Sequence, residues 1–197
     1  IATGSDQRTW DGLKQAGHSI VSPVPSLFTF NIRVKDLNAL AGISMPDVIA
    51  SIPALKLQTS GPLLITHWGF SGPAILKLSA WGARELYACN YVFDAQINWC
   101  RQSEEQEVIR SIKQTMTRNT KKQVHNLMLF GMPTRLWKFI CLRASLPERL
   151  NCSEISSKQI NVLVQILMRD TYRVTGKSTF KEEFVTAGGV DLTEVNM

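Results

Sequence analysis

The sequence predicts an α+β fold in which a β-rich domain is interrupted by a helical segment. Alternating apolar and polar residues at 27–34 and 90–99 are typical of half-buried strands. Between residues 101 and 170 the apolar residues recur at helical spacing, and from residue 171 the β-type pattern returns. Because a strand that follows a helical excursion most economically rejoins the interrupted sheet, we infer one β domain with a helical insertion.

Length and composition indicate a globular chain of one large domain or two small ones. The 197 residues are 44% hydrophobic and 19% charged, and no apolar run approaches the ~18 residues of a membrane span. The four cysteines form no C-x-x-C pair, so we expect no zinc site. Because no secretion signal is visible, we expect reduced thiols and a cytoplasmic location, or an organelle matrix or stroma.

The first hundred residues are predicted to contain two helices and a series of strands. Pro23 and Pro25 disfavour a central strand and suit an extended connection, and residues 37–44 have the composition of a loop. The predicted elements are a helix at 8–16, strands at 27–34, 48–50, 54–58 and 63–65, a helix at 74–86 and a strand at 90–99.

Residues 101–170 are predicted to form a compact subdomain of about four helices. Capping boxes at Ser103 and Ser156 mark two helix starts, and a further helix is expected around residues 124–128. His125 is expected to be exposed on that helix. After the subdomain, strands are predicted at 171–175 and 180–186, with a turn at 176–177.

The net charge of +6 lies entirely in one part of the chain. Residues 101–150 hold ten Lys/Arg and four Asp/Glu, whereas the remainder holds twelve of each. One interpretation is an anionic partner such as nucleic acid; the other is the solvated outer face of a helical subdomain. The helix-surface spacing, without a nucleic-acid fold signature, favours the solvated face, so nucleic acid is not the expected partner.

The candidate site is a glycine-bounded corner at residues 66–73, Thr-His-Trp-Gly-Phe-Ser-Gly-Pro. A predicted strand leads into it, and Pro73 suits the first turn of the next helix. An imidazole, an indole and two hydroxyls therefore lie beside a backbone with little side-chain bulk. On local grounds alone a tight turn is the commoner explanation. Ser71 is not expected to be a hydrolase nucleophile, because Pro73 occupies the place of the second glycine of a nucleophile elbow.

Four motifs, in order and at compatible spacing, resemble a flavoprotein family. They are Ala-Thr-Gly at 2–4, Gly-His-Ser-Ile with Pro-Val-Pro-Ser-Leu at 17–27, the corner and its continuation at 66–76, and Glu-Phe-Val-Thr-Ala-Gly-Gly-Val at 183–190. Over nearly the whole chain they resemble FAD-dependent oxidoreductases of the aminoacetone-oxidase-like and bile-acid-reductase-like kind.

The resemblance implies an antiparallel, Greek-key-like β-barrel with an inserted small helical bundle, flanked by remnants of a Rossmann-type flavin domain. The implied division is a flank at 1–24, the barrel at 25–100 and 171–187, the helical subdomain at 101–170 and a returning flank at 188–197. The family's Gly-rich dinucleotide loop is absent. The chain is thus expected to be the catalytically incomplete insert of an FAD- and NAD(P)-dependent oxidoreductase, whose missing flavin-binding domain is its partner. The alternative is a non-enzymatic module whose basic helices contact an anionic partner.

The resemblance also implies roles for individual residues. The implied cofactor-binding residues, which approach the flavin, are Thr3, Gly4, Gly188, Gly189 and Val190. The implied substrate-binding residues are Thr66, Trp68, Ser71 and Gly72. His67 is the implied catalytic residue, as a proton donor or a hydrogen-bonding group toward a small-molecule substrate. FAD would carry the redox chemistry, with NAD(P)H as electron donor.

Overall fold

The computed structural model describes residues 6–178 and 185–194. Within them the chain forms a closed six-stranded barrel, several helices and a separate two-stranded ribbon. The predicted α+β fold, a barrel with a helical segment, is confirmed. The cofactor-binding roles predicted for Thr3 and Gly4, and most of the strand predicted at 180–186, lie outside the described residues.

The elements are numbered in chain order. The strands are Ile20–Ser26 (β1), Phe30–Ile32 (β2), Ser44–Ile52 (β3), Leu57–Ile65 (β4), Gly69–Ser71 (β5), Phe93–Asn98 (β6), Asp170–Lys177 (β7) and Val185–Val190 (β8). The α-helices are Gln7–Gln15 (α1), Lys35–Asn38 (α2), Pro73–Trp81 (α3), Ala83–Ala88 (α4), Glu105–Arg118 (α5), Thr134–Arg143 (α6) and Ser157–Arg169 (α7). Short 3-10 turns occupy Pro53–Leu55, Val124–Asn126 and Leu192–Glu194.

The barrel closes in the order β2-β5-β4-β3-β6-β7, with antiparallel pairing between its neighbours. Aromatic rings fill its interior. The Phe70 ring lies edge-on to Trp99 at 5.9 Å and to Tyr172 at 4.9 Å between centroids. Such edge-to-face pairs contribute about 0.5–1.5 kcal/mol each beyond the burial of apolar area. Since β6 leads into the helical segment and β7 leads out of it, the two strands that bracket the insertion are direct neighbours in the barrel.

The helical subdomain differs from its prediction in three places. The capping box at Ser156 is confirmed, with its hydroxyl accepting from the Gln159 N–H at 3.3 Å. The capping box predicted at Ser103 is wrong, because α5 begins one residue later than it implies, with Glu104 at the N-cap and no side-chain cap bond. The helix expected near 124–128 is only a 3-10 turn, which leaves three α-helices in the segment. His125 is buried rather than exposed, since this turn packs under the subdomain and the His125 Nε2 lies 3.2 Å from the Leu146 carbonyl oxygen.

Several boundaries elsewhere also differ, and the strands predicted at 54–58 and 63–65 are one continuous strand, β4. The helix predicted at 74–86 breaks at Gly82, where an added Cβ would lie 2.9 Å from a Leu57 methyl group. The strand predicted at 54–58 begins with a 3-10 turn, and the loop predicted at 37–44 contains the end of α2. The turn predicted at 176–177 is instead the end of β7, because these residues pair with β2 to close the barrel.

A buried carboxylate joins the barrel to the helical subdomain. Asp170, at the start of β7, is fully buried and forms an ion pair with Arg143 of α6 at 2.6 Å. The Trp99 indole donates to it at 2.9 Å, and the Tyr172 hydroxyl donates to the same oxygen. Burial raises the pKa of the Asp170 carboxyl, and the Arg143 guanidinium, with the two neutral donors, opposes that rise. The sequence pattern gave no indication of this network.

The ribbon pairs β1 with β8 outside the barrel. Its register runs from Ile20 opposite Val190 to Ser26 opposite Val185, with an irregularity between Val21 and Val24. Prolines are tolerated in such a ribbon because each strand pairs on one side only. The ribbon brings the segment that enters the barrel next to the segment that leaves it.

Candidate functional site

The corner at residues 66–73 is a tight hairpin between β4 and β5, followed by α3. The Thr66 N–H donates to the Gly69 carbonyl at 2.7 Å, and the Gly69 N–H returns a bond to the Thr66 carbonyl at 3.3 Å. His67 and Trp68 are therefore the two residues of the loop. The Thr66 hydroxyl accepts from the N–H groups of Trp68 and Gly69, both at 3.2 Å. Thr66 thus fixes the loop conformation, as hydroxyl side chains commonly do in turns.

The glycines of the corner allow strands to approach each other closely. Gly69 has a φ of +143°, and an added Cβ would lie 2.7 Å from the Ile32 nitrogen and closer still to the Phe30 carbonyl oxygen. At Gly72, with a φ of +95°, the Cβ would lie 2.9 Å from the Pro62 carbonyl oxygen. Both positions therefore exclude other residues for reasons of packing. Gly72 faces the backbone of β4, and its role in substrate binding stays a prediction.

A surface pocket of about 460 Å³ lies beside the hairpin loop. The Trp68 side chain is 56% exposed. The His67 side chain is exposed and its imidazole makes no hydrogen bond within the described part of the chain. The pocket is lined by Thr29, Ala41, Gly42, Leu64, Ile65, Thr66, His67, Trp68 and Ser71. The structure thus brings four of the five residues predicted at this corner around one cavity.

The pocket includes residues that the sequence did not indicate. Thr29 comes from the segment just before β2, and its hydroxyl oxygen is buried with no hydrogen-bond partner among the described residues. Ala41 and Gly42 come from the loop after α2. The alternation at 27–34 placed Thr29 on a polar face, but only the pairing of β2 with β5 brings that face to the hairpin.

Residues 24–185 match the family model described as the HI0933-like protein barrel and H2TH domain. The chain belongs to this family. The HI0933-like family is linked to FAD-dependent flavoproteins, as the resemblance of the four motifs implied.

Two curated relatives carry a different name from the one implied by the motifs. Both are called ribosomal RNA dihydrouridine synthase. The protein from Haemophilus influenzae is 27% identical over 185 residues, which cover 90% of this chain and 42% of the relative. The protein from Escherichia coli is 27% identical over 192 residues, covering 93% of this chain and 43% of the relative. The chain therefore spans less than half the length of these relatives.

The two described glycines that are predicted to bind FAD, Gly188 and Gly189, pack against other parts of the chain. An added Cβ at Gly188 would lie 2.8 Å from the carbonyl oxygens of Val21 and Ser22, and one at Gly189 would lie 3.3 Å from the Trp10 ring. On the side to which a Cβ would point, Gly188 thus faces β1 and Gly189 faces α1 of the HI0933-like chain itself. Val190 ends the same ribbon strand. The cofactor-binding roles of Gly188, Gly189 and Val190 stay predictions.

Other kinds of site are not found in the described residues. No group of His, Cys, Asp and Glu there could hold a metal ion, and no helix in that part of the chain has the length and apolarity to cross a bilayer. Of the cysteines, Cys89 is exposed and three are buried. Burial raises the pKa of the Cys141 thiol to about 12, so its reactive thiolate form is scarce at neutral pH.

An exposed carboxylate fastens the end of the ribbon. Glu194 accepts from the Ser19 N–H at 3.1 Å, and the His18 ring lies 3.2 Å from the same carboxylate. Hydrogen bonds from Ser19 and from the His18 ring hold the pKa of Glu194 below its ordinary value of 4.5. Because the folded state favours the ionised form, this contact stabilises the ribbon above pH 4.5 and is lost as the pH falls through the lowered pKa.

We therefore expect the Ser19 amide to lose protection from hydrogen exchange as the solution is acidified below pH 4.5. The Glu194→Gln variant should show weaker protection at neutral pH and no such acid transition. Amide exchange followed by NMR, corrected for the intrinsic pH dependence, measures both. An acid transition of the same size in Glu194→Gln would assign it to another group, such as Asp191, whose pKa is lowered by hydrogen bonds from Thr193.

Proposed function

We propose that this chain is the barrel and helical region of a flavin-dependent oxidoreductase that reduces uridine in ribosomal RNA to dihydrouridine. The observation that carries the proposal is the exposure of His67 and Trp68 on a fixed hairpin loop beside the pocket. The family's link to FAD-dependent flavoproteins and the name of the two curated relatives support it. RNA here replaces the small-molecule substrate that the motif resemblance implied.

The proposed reaction saturates the C5–C6 double bond of uracil. One ring carbon receives a hydride and the other receives a proton, so the base gains two electrons and two protons in total. In the complete enzyme FAD, reduced by NAD(P)H, would supply the hydride and would be held chiefly by the flavin-binding domain that this chain lacks. The contribution of this chain is to place the base, to exclude water and to provide a proton.

The hairpin loop offers suitable groups for that contribution. The exposed Trp68 indole provides a flat face on which a base can stack, an interaction worth about 1–3 kcal/mol per base. The His67 imidazole, beside it in the same loop, is a group that commonly transfers protons in enzymes. Ser71 also lines the pocket, and its hydroxyl is a hydrogen-bonding group for the polar edge of a base.

Replacement of His67 by alanine in the full-length protein is expected to lower the rate of dihydrouridine formation by about 10²- to 10⁴-fold, the usual contribution of general acid catalysis. The exposed side chain makes no described hydrogen bond, so the unfolding temperature should not change. Mass spectrometry of nucleosides from ribosomal RNA, treated with enzyme and NADPH or NADH, measures the product. Lys77→Ala, which alters an exposed residue of α3, is the matched control and should keep full activity.

The outcomes separate the role of His67 from the reaction. Full turnover by His67→Ala would contradict the proton-donor role of His67 but not the proposed reaction. A wild-type protein that contains flavin but forms no dihydrouridine with either nicotinamide would overturn the proposed substrate. A colourless full-length protein would favour the non-enzymatic module, because bound flavin gives a yellow protein.

A further inference from the structure

A cluster of cations lies on the outer face of α5 from Arg110 onward and in the turn that follows the helix. Between residues 110 and 122 there are five cations and no acidic residue. All five side chains are exposed. We call this cluster the basic patch, and its members are Arg110, Lys113, Arg118, Lys121 and Lys122.

No member of the basic patch is neutralised by an ion pair within the described residues. This sets it apart from arginines elsewhere in the described chain, four of which face carboxylates. Those pairs are Arg101–Asp47, Arg143–Asp170, Arg169–Glu105 and Arg173–Asp94. Five uncompensated charges within thirteen residues create a positive field that attracts polyanions.

The two faces of α5 favour a nucleic acid over a lipid surface as the polyanion that binds here. Its apolar face, formed by Val108, Ile112 and Met116, is buried in the core, so the helix has no free apolar face to insert into a lipid surface. The outer face carries uncharged hydrogen-bonding groups between the cations and borders an open groove of about 450 Å³. Those groups are Gln106, Gln114 and Thr117. From Arg110 to Arg118 the helix rises by about 12 Å, which is long enough to meet several phosphates of one strand.

We propose that the basic patch binds the phosphate backbone of RNA and so holds the substrate strand while a base reaches the hairpin loop. The choice of RNA rests on the proposed function. The contacts are to phosphate, because Lys and Arg side chains on an open helix face position a strand without reading its bases. Amide and hydroxyl groups lie beside the cations on this face, and both kinds of group contact phosphate in proteins that position a nucleic-acid backbone.

The test compares two triple variants of the chain in binding to deproteinised ribosomal RNA. The patch variant is Arg110→Gln with Lys113→Gln and Lys121→Gln. The control removes the same number of exposed arginines and lysines elsewhere, as Arg8→Gln with Lys77→Gln and Lys158→Gln. The patch variant should bind about 10- to 100-fold more weakly near 0.1 M salt, and the slope of log K against log salt should fall by about 2. The control variant should have nearly the RNA affinity and the salt slope of the wild-type chain.

The same variants in the full-length protein separate this inference from the proposed function. Equal RNA affinity of the patch variant and the control would overturn the inference, even if dihydrouridine is formed. A patch variant that loses binding only to phosphatidylserine vesicles, and not to RNA, would overturn it in favour of a membrane surface. If the patch variant binds RNA more weakly than the control, but the wild-type protein forms no dihydrouridine, the RNA-binding role of the basic patch is supported and the proposed reaction is contradicted.

Discussion

Replacement of Asp170 by alanine is expected to destabilise the chain by about 3–5 kcal/mol, the usual result of removing one partner of a buried ion pair. The change leaves the Arg143 guanidinium beside a cavity, and the Trp99 N–H and the Tyr172 O–H lose their acceptor. Each neutral donor left unsatisfied in the interior adds to the loss. Urea unfolding followed by tryptophan fluorescence measures the change in the free energy of unfolding.

The exposed pair between Asp94 and Arg173 is the matched control. It joins neighbouring strands of the same barrel, but both side chains are more than half exposed. Asp94→Ala should therefore cost less than about 1 kcal/mol. If Asp170→Ala is no more harmful than Asp94→Ala, the buried network does not hold the helical subdomain to the barrel.

Replacement of Gly69 by alanine is expected to cost about 3–5 kcal/mol, because backbone strain and overpacking coincide at this position. The residue has a φ of +143°, and the added Cβ would meet backbone atoms of β2, which cannot move aside as a side-chain end can. The substitution should also loosen the pairing of β2 with β5 and so displace His67 and Trp68. Both the free energy of unfolding and, in the full-length protein, dihydrouridine formation should fall.

Gly12→Ala provides the opposite expectation for the same chemical change. Gly12 lies inside α1 with open space around its Cα. Alanine there should leave the stability unchanged or raise it by up to about 1 kcal/mol, since glycine weakens a helix interior by that amount. A Gly69→Ala variant as stable as Gly12→Ala would mean that β2 can shift away from the hairpin.

Local patterns predicted a β domain with a helical insertion, the family resemblance supplied the barrel, and neither predicted the whole site. The switch from alternating to helical spacing at residue 101 and its reversal at 171 predict a strand of the same sheet on each side of a helical insertion, and β6 and β7 indeed pair. The capping box at Ser156 is a short-range device and was correctly predicted. At Ser103 the same pattern failed, because packing starts the helix at Glu105 rather than at the first local signal.

Long-range pairing accounts for what the patterns missed. Thr29 joins the pocket only because β2 pairs with β5, and a contact across some forty residues leaves no periodicity in the sequence. His125 was expected on the surface of a helix, yet its turn is covered by α6. The role of Asp170 depends on donors from three separate elements.

The two-residue loop at His67 and Trp68 has a thermodynamic consequence for any ligand that meets it. The Thr66 hydroxyl already fixes the loop backbone in the free protein, so a bound base need not order it. The entropy lost on binding is then confined to side-chain rotamers, at about 0.5–1.5 kcal/mol for each one immobilised. We therefore expect the hairpin to be preorganised for binding, so that its backbone dynamics change little when a ligand binds.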